Sequence, residues 1–148
     1  KLYFDTCVLL HQASRYPNFK VLADVFQYGL NEYKRADEYY VKALGSDSLN
    51  IELMGKHISN LFMLQQNKLA NNWIQKLSKL SMQSNWLPYA MICKYLSELK
   101  FSLIEIDLEK LCMDPDFDHR VLVIKNWESV NSKLSISDSI KKCLKLIQ

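Results

Sequence analysis

Ala36-Asp37-Glu38-Tyr39-Tyr40-Val41-Lys42-Ala43-Leu44 is the stretch that decides the fold. Ala36, Tyr40 and Ala43 recur at intervals of four and three, with Tyr33 three residues ahead of the first. That spacing lays one stripe along one face of an α-helix. The stripe alternates small and large: alanine lets a second helix come close, and tyrosine fills the hole beside it. Upstream, Phe19, Leu22, Ala23 and Phe26 draw a second helical stripe, and Gly29-Leu30-Asn31 interrupts the chain between the two. The pair reads as a helical hairpin. One residue more than the hairpin needs is expected in the turn near Asn31. Downstream, Gly45-Ser46-Asp47-Ser48 ends the helix. Asn50 can cap the next, with Glu52 favourably placed in its first turn.

The same pattern continues. Met54, Ile58 and Leu61 form one stripe and Ala70, Trp73, Ile74, Leu77 and Leu80 another. Met91, Ile92, Tyr95, Leu96 and Leu99 follow. Gln65-Gln66-Asn67, Ser84-Asn85 and Asp114-Pro115-Asp116 punctuate the runs, and Ser135-Ile136-Ser137-Asp138 matches a capping box. The spacing predicts a first helix near 2–13. Helix pairs then follow at 17–30 with 33–44, 51–64 with 68–80, 86–99 with 102–112, and 117–130 with 136–147. No stretch sustains a strand-type alternation, so the fold class is all-α. Units at 16–50, 51–84 and 85–119 have nearly equal lengths of 35, 34 and 35 residues. Residues 1–15 form a capping or dimerisation helix ahead of them, and 120–148 a partial fourth unit. Gly55 lies inside a helical pattern, which marks a close helix approach.

A two-helix period near 34 residues resembles the tetratricopeptide repeat. Phe19, Leu22, Ala23 and Phe26 match the first helix of that repeat, and Ala36, Tyr40 and Ala43 the second. Ala70, Ile74 and Leu77 occupy the second-helix positions of the next unit. The third unit is divergent: it retains Tyr95 and Asp114-Pro115, while Ile104, Leu108 and Leu111 replace the small residues. The resemblance implies a right-handed superhelix of stacked antiparallel helix pairs, each burying a face that one hairpin alone leaves open.

Composition sets the other bounds. Hydrophobic residues make up 49% and charged residues 24%, an ordinary globular mixture. Only 3 Gly and 3 Pro are present, too few for a β-sandwich or a Gly-rich nucleotide site. No uncharged apolar run, Cys7 to Leu10 among them, approaches the roughly 20 residues of a membrane span. The net charge of +3 does not suggest a nucleic-acid surface. Cys7, Cys93, Cys112 and Cys143 form no C-x-x-C pair, so free buried thiols and a cytoplasmic or nuclear setting are expected. The opening Lys1-Leu2-Tyr3-Phe4-Asp5 reads as a piece of a longer chain without a cleavable leader. His11, His57 and His119 are far apart, and His57 falls on a core position. Glu105, Asp107 and Glu109 read as a solvated helix face. No catalytic motif is present. No enzyme activity, cofactor, metal or small-molecule substrate is expected.

A closer resemblance is carried by Ala23-Asp24, Glu32-Tyr33-Lys34-Arg35-Ala36, Ala43-Leu44, Ile51-Glu52 and Met63-Leu64-Gln65-Gln66-Asn67-Lys68-Leu69-Ala70. Their order is similar to the N-terminal domain of the subunit-seven family of the anaphase-promoting complex. That resemblance implies a structural, non-catalytic subunit of a cell-cycle ubiquitin ligase that dimerises and stacks with other repeat subunits. Phe4, Cys7, Val8 and Leu10 give the first helix a broad apolar face, the expected interface with a second copy. The competing expectation is a peptide-binding adaptor or co-chaperone, whose groove would use Lys56 and Asn60, four residues apart on one helix.

Overall fold

The computed structural model describes residues 5, 6, 8–10, 17–80, 84–98 and 100. The expected pairs at 102–112, 117–130 and 136–147, with Phe4, Cys7, Cys112 and Cys143, lie outside the described residues. Positions 5, 6 and 8–10 are helical. Five helices follow: α1 (Phe19–Asp24, continued by a π-helical turn at Val25–Gly29), α2 (Tyr33–Ser46), α3 (Ile51–Met63), α4 (Asn67–Leu80) and α5 (Trp86–Ser97). The described residues contain no strand, and the fold class is all-α.

Local chemistry accounts for the boundaries. Asn18 and Asn50 each accept a hydrogen bond from the backbone N–H three residues on, at 3.2 and 2.9 Å, and so cap α1 and α3. Asn85 makes no such bond. Ser84 serves α5 instead, its hydroxyl accepting from the Trp86 N–H at 3.2 Å. α3 ends in a Schellman motif. Gln65 takes a left-handed φ of 59°, its N–H reaches the Phe62 carbonyl, and the Gln66 N–H reaches the Leu61 carbonyl.

The turn between α1 and α2 holds no additional residue, and here the structure corrects the sequence reading. Leu30-Asn31-Glu32 is as long as Leu64-Gln65-Gln66, and Asn31 takes the matching left-handed φ of 56°. The extra residue lies inside the helix. The Leu30 N–H bonds five residues back to Val25, whereas the equivalent Leu64 N–H bonds four back to Asn60. One residue has been absorbed as a π-helical turn. That leaves the turn chemistry intact.

α2 and α4 repeat one another. Each has 14 residues, and Ala36, Tyr40 and Ala43 of α2 are buried at the positions that Ala70, Ile74 and Leu77 occupy 34 residues later. Each helix packs on the next, and α3 packs on α5 about as extensively as on α4. α3 is therefore central. Ten consecutive residues, Leu53 through Phe62, are buried. Phe26, Tyr40, Phe62 and Tyr89 are the largest fully buried side chains around it, each stabilising the fold by roughly 2–3 kcal/mol relative to exposure. Val8 joins this core. At Gly55 α5 leaves no room for a larger residue: the Trp86 side chain occupies the space a Cβ would take.

Candidate functional site

Ten buried residues in a row cannot all be apolar on a helix with one apolar stripe. The polar ones on α3 must find partners. Lys56 is 7% exposed, and its ammonium donates to Asp24 Oδ2 at 2.7 Å and pairs with Glu52 Oε1 at 2.9 Å. The other Glu52 oxygen accepts from Lys20 Nζ at 2.9 Å. Ser59 accepts from Gln27 Nε2 at 2.7 Å and donates to the Lys56 carbonyl at 2.8 Å. Gln27 Oε1 in turn accepts from the Tyr40 hydroxyl at 2.6 Å, which also lies 3.2 Å from Asp24 Oδ1. The result is one continuous polar lattice joining α1, α2 and α3.

Three of these links share one register. Lys20 with Glu52, Asp24 with Lys56 and Gln27 with Ser59 are each 32 residues apart. A constant offset means that α1 and α3 run parallel, side by side, with their first turns level. A donor on one helix meets an acceptor on the other at each step. The electrostatics agree. Burial pushes the Glu52 carboxyl up, but hydrogen bonds and charge from Lys20 and Lys56 outweigh it and bring the group below its ordinary value.

The opposite side of α3 is closed as well. His57 Nε2 lies 2.8 Å from Asp37 Oδ1, and the ring sits between Tyr40 and Trp73 at centroid distances of 5.8 and 5.3 Å. Asn60 Nδ2 donates to the Tyr33 carbonyl at 2.9 Å. Towards α5, Tyr28, Ser59, Tyr89 and Cys93 gather their hydroxyls and thiol. Burial raises the tyrosines well above the usual phenol range and pushes the Cys93 thiol up to about 12. Cys93 is a free thiol held neutral, unsuited to nucleophilic work.

The sequence-derived candidates are placed as follows. Leu22, Ala23, Phe26, Ala36, Tyr40, Ala43, Ala70, Ile74 and Leu77 are buried, while Phe19 and Tyr95 are half-buried against the core. Of the expected apolar interface, Val8 is buried and Leu10 is 68% exposed, next to an equally exposed Leu9. Lys56 and Asn60 do not stand at the wall of an open groove. Both are buried and committed to Asp24, Glu52 and the Tyr33 carbonyl. Charge alone made Lys56 look solvated. The signal that would have placed it is the pairing of complementary residues 32 apart, a spacing that also finds Lys20, Gln27 and Ser59. Among the described residues, no group of His, Cys, Asp and Glu is arranged to hold a metal, and no helix is long and apolar enough to cross a membrane. Comparison with protein-family models, with curated proteins and with solved structures finds no match to this chain.

Proposed function

We propose that the chain is a non-catalytic protein–protein interaction scaffold, its helix pairs stacked in the right-handed superhelix of tetratricopeptide arrays. The observation that carries this reading is the closed face of α3. A groove-type adaptor needs open side chains along its first helices. Here Trp86 covers Gly55, and Gln27 meets Ser59. The exposed large apolar side chains are Leu9 and Leu10 near the N-terminus, Val41 on α2, Leu49 in the turn after it, and Leu69 and Leu80 on α4. The 34-residue recurrence of α2 in α4 supports the repeat assignment. Together with the sequence resemblance, this favours a structural repeat subunit of the anaphase-promoting complex. Such a subunit would self-associate and stack with related subunits in the nucleus or cytoplasm.

Sedimentation equilibrium tests the scaffold reading directly. A stable assembly of two or more copies without added ligand is the expected result. A monomer at every concentration that captures short peptides would return the chain to the adaptor class. Purification of the full-length protein with its bound partners tests the assignment to the ligase: repeat subunits of that complex should accompany it.

A further inference from the structure

α4 carries an unusual charge pattern. It contains Lys68, Lys76 and Lys79 and no aspartate or glutamate. All three lysines are exposed, and none pairs with a carboxylate among the described residues. The other lysines and the arginine held by carboxylates, Lys20, Arg35, Lys56 and Lys100, all lie outside α4. At 3.6 residues per turn, Lys68, Asn72, Gln75, Lys76 and Lys79 fall within an arc of about 100°, over a length of about 16 Å. Ala70, Ile74 and Leu77 face the core from the other side of the helix. Lys76 is steadied by the Trp73 ring, 4.7 Å below its ammonium.

We infer that this face of α4 docks an acidic segment of a partner protein. That segment is a helix or extended strip with carboxylates spaced to meet Lys68, Lys76 and Lys79 and one apolar anchor. The inference rests on the scaffold reading and names a partner chemistry for it. Charge complementarity calls for carboxylates. The anchor follows from the start of the helix, where a shallow depression of about 360 Å³ is lined by Lys68, Asn72 and the 43%-exposed Leu69. An apolar side chain seated there would have a carboxylate one turn away within reach of Lys68. The interleaved amides of Asn72 and Gln75 supply both donors and acceptors, which a polypeptide backbone can use. A nucleic acid fits less well. The face has no arginine for bidentate phosphate contacts, its one aromatic is half-buried, and the chain's net charge is only +3. An anionic bilayer would favour a continuous apolar face beside the lysines. Here the apolar edge beside Lys76 is narrow, with only Leu69 and Leu80 exposed and Trp73 half-buried.

The test uses the full chain, isotopically labelled, and follows backbone amide shifts. The probes are a synthetic helical peptide with Glu at every fourth position and one Leu, its Glu→Gln counterpart, a short DNA duplex, and phosphatidylserine vesicles. The acidic peptide is expected to perturb α4 from Lys68 to Leu80 and to bind roughly tenfold more weakly when salt rises from about 0.05 to 0.3 M. Each of Lys68→Gln, Lys76→Gln and Lys79→Gln should weaken it by about two- to fivefold. These exposed substitutions leave the core untouched, so thermal melting should be unchanged. The Glu→Gln peptide should not bind. Shifts elsewhere, equal binding of the Gln peptide, or tighter binding of duplex or vesicles would each overturn the inference. So would the absence of any shift. A chain that self-associates but fails here retains the scaffold reading and loses only this surface.

Discussion

Replacing Gly55 with alanine should destabilise the chain, although alanine is the better helix former. A Cβ built on Gly55 falls 2.6 Å from Trp86 Cε3 and 3.1 Å from both Trp86 Cβ and Cδ2. The nearest of these is closer than packed carbons come. The neighbour is a ring and the root of its own side chain, so it cannot swing aside without moving α5. Overpacking of this kind costs about 1–3 kcal/mol. The helix interior returns about 1 kcal/mol for losing a glycine. The net expectation is a loss of about 0–2 kcal/mol, centred near 1, read as a lower urea midpoint at unchanged slope. A double-mutant cycle makes the cause explicit. In a Trp86→Gly background all three of those atoms are gone, and Gly55→Ala should then stabilise by about 0.5–1 kcal/mol. The sign of one substitution inverts with its neighbour. If Gly55→Ala raised stability in the original background, α3 and α5 would not approach as described.

Three further outcomes follow from the same contacts. Lys56→Ala removes the ammonium shared by Asp24 and Glu52, leaving Lys20 on Glu52 and no cation on Asp24, and should cost about 2 kcal/mol, measured by urea unfolding. That is below the roughly 3–5 kcal/mol of a fully buried pair, because both carboxylates retain partial access to water. Asn50→Ala should cost about 1 kcal/mol of stability and Asn85→Ala close to none, because only the first caps its helix through a side-chain bond; equal losses in thermal melts would refute the assignment. Stability should fall as pH rises above about 9. Burial holds the Cys93 thiol up to about 12 and Tyr40 and Tyr89 well above 10, so the unfolded chain sheds these protons first. The contribution is complete below the unfolded values and is lost as pH climbs towards the folded ones. Urea midpoints across that range check it, as does a native thiol that resists alkylation until the chain unfolds.

Much of the hairpin pattern was legible because it depends on periodicity alone. The spacing predicted 33–44 and 68–80, and the helices run Tyr33–Ser46 and Asn67–Leu80 with the expected alanines inside. Gly55 was legible as a close approach because nothing else explains a glycine in that place. The π-helical turn was not. Inserting one residue shifts hydrogen bonds by one carbonyl and leaves the apolar spacing ambiguous, so the surplus seemed to belong to the nearest polar turn. Lys56 and Asn60 were misplaced for a related reason. A helical stripe reports one buried face, but α3 is enclosed on the others by neighbours distant in sequence. Lysine is buried only when carboxylates come with it, and those carboxylates sit on α1 and one turn earlier on α3.

The polar lattice then explains what periodicity leaves open, namely the alignment of one hairpin against the next. Apolar stripes tolerate sliding, since a leucine meets many partners almost equally well. The α1–α3 contact does not. A slip of one residue would displace α1 by about 1.5 Å and turn its side chains by about 100°, separating Lys20 from Glu52, Asp24 from Lys56 and Gln27 from Ser59 at once. Each pair taken alone offsets little more than its own desolvation. Acting together, they single out one register among several of similar apolar burial. The caps agree with it: Asn18 and Asn50 stand at the same separation as the pairs, so both helices begin level. α3 then runs past α1, ending at Met63 where α1 and its π-helical turn end at Gly29. From the first pair to the second, the start of the first helix consequently recurs at 32 residues, while its end, the turn and the whole second helix recur at 34. The proposed scaffold needs this kind of determinacy. Its outer faces can hold partners at fixed positions only if successive hairpins cannot slide, and the buried charges on α3 supply the constraint that its apolar residues lack.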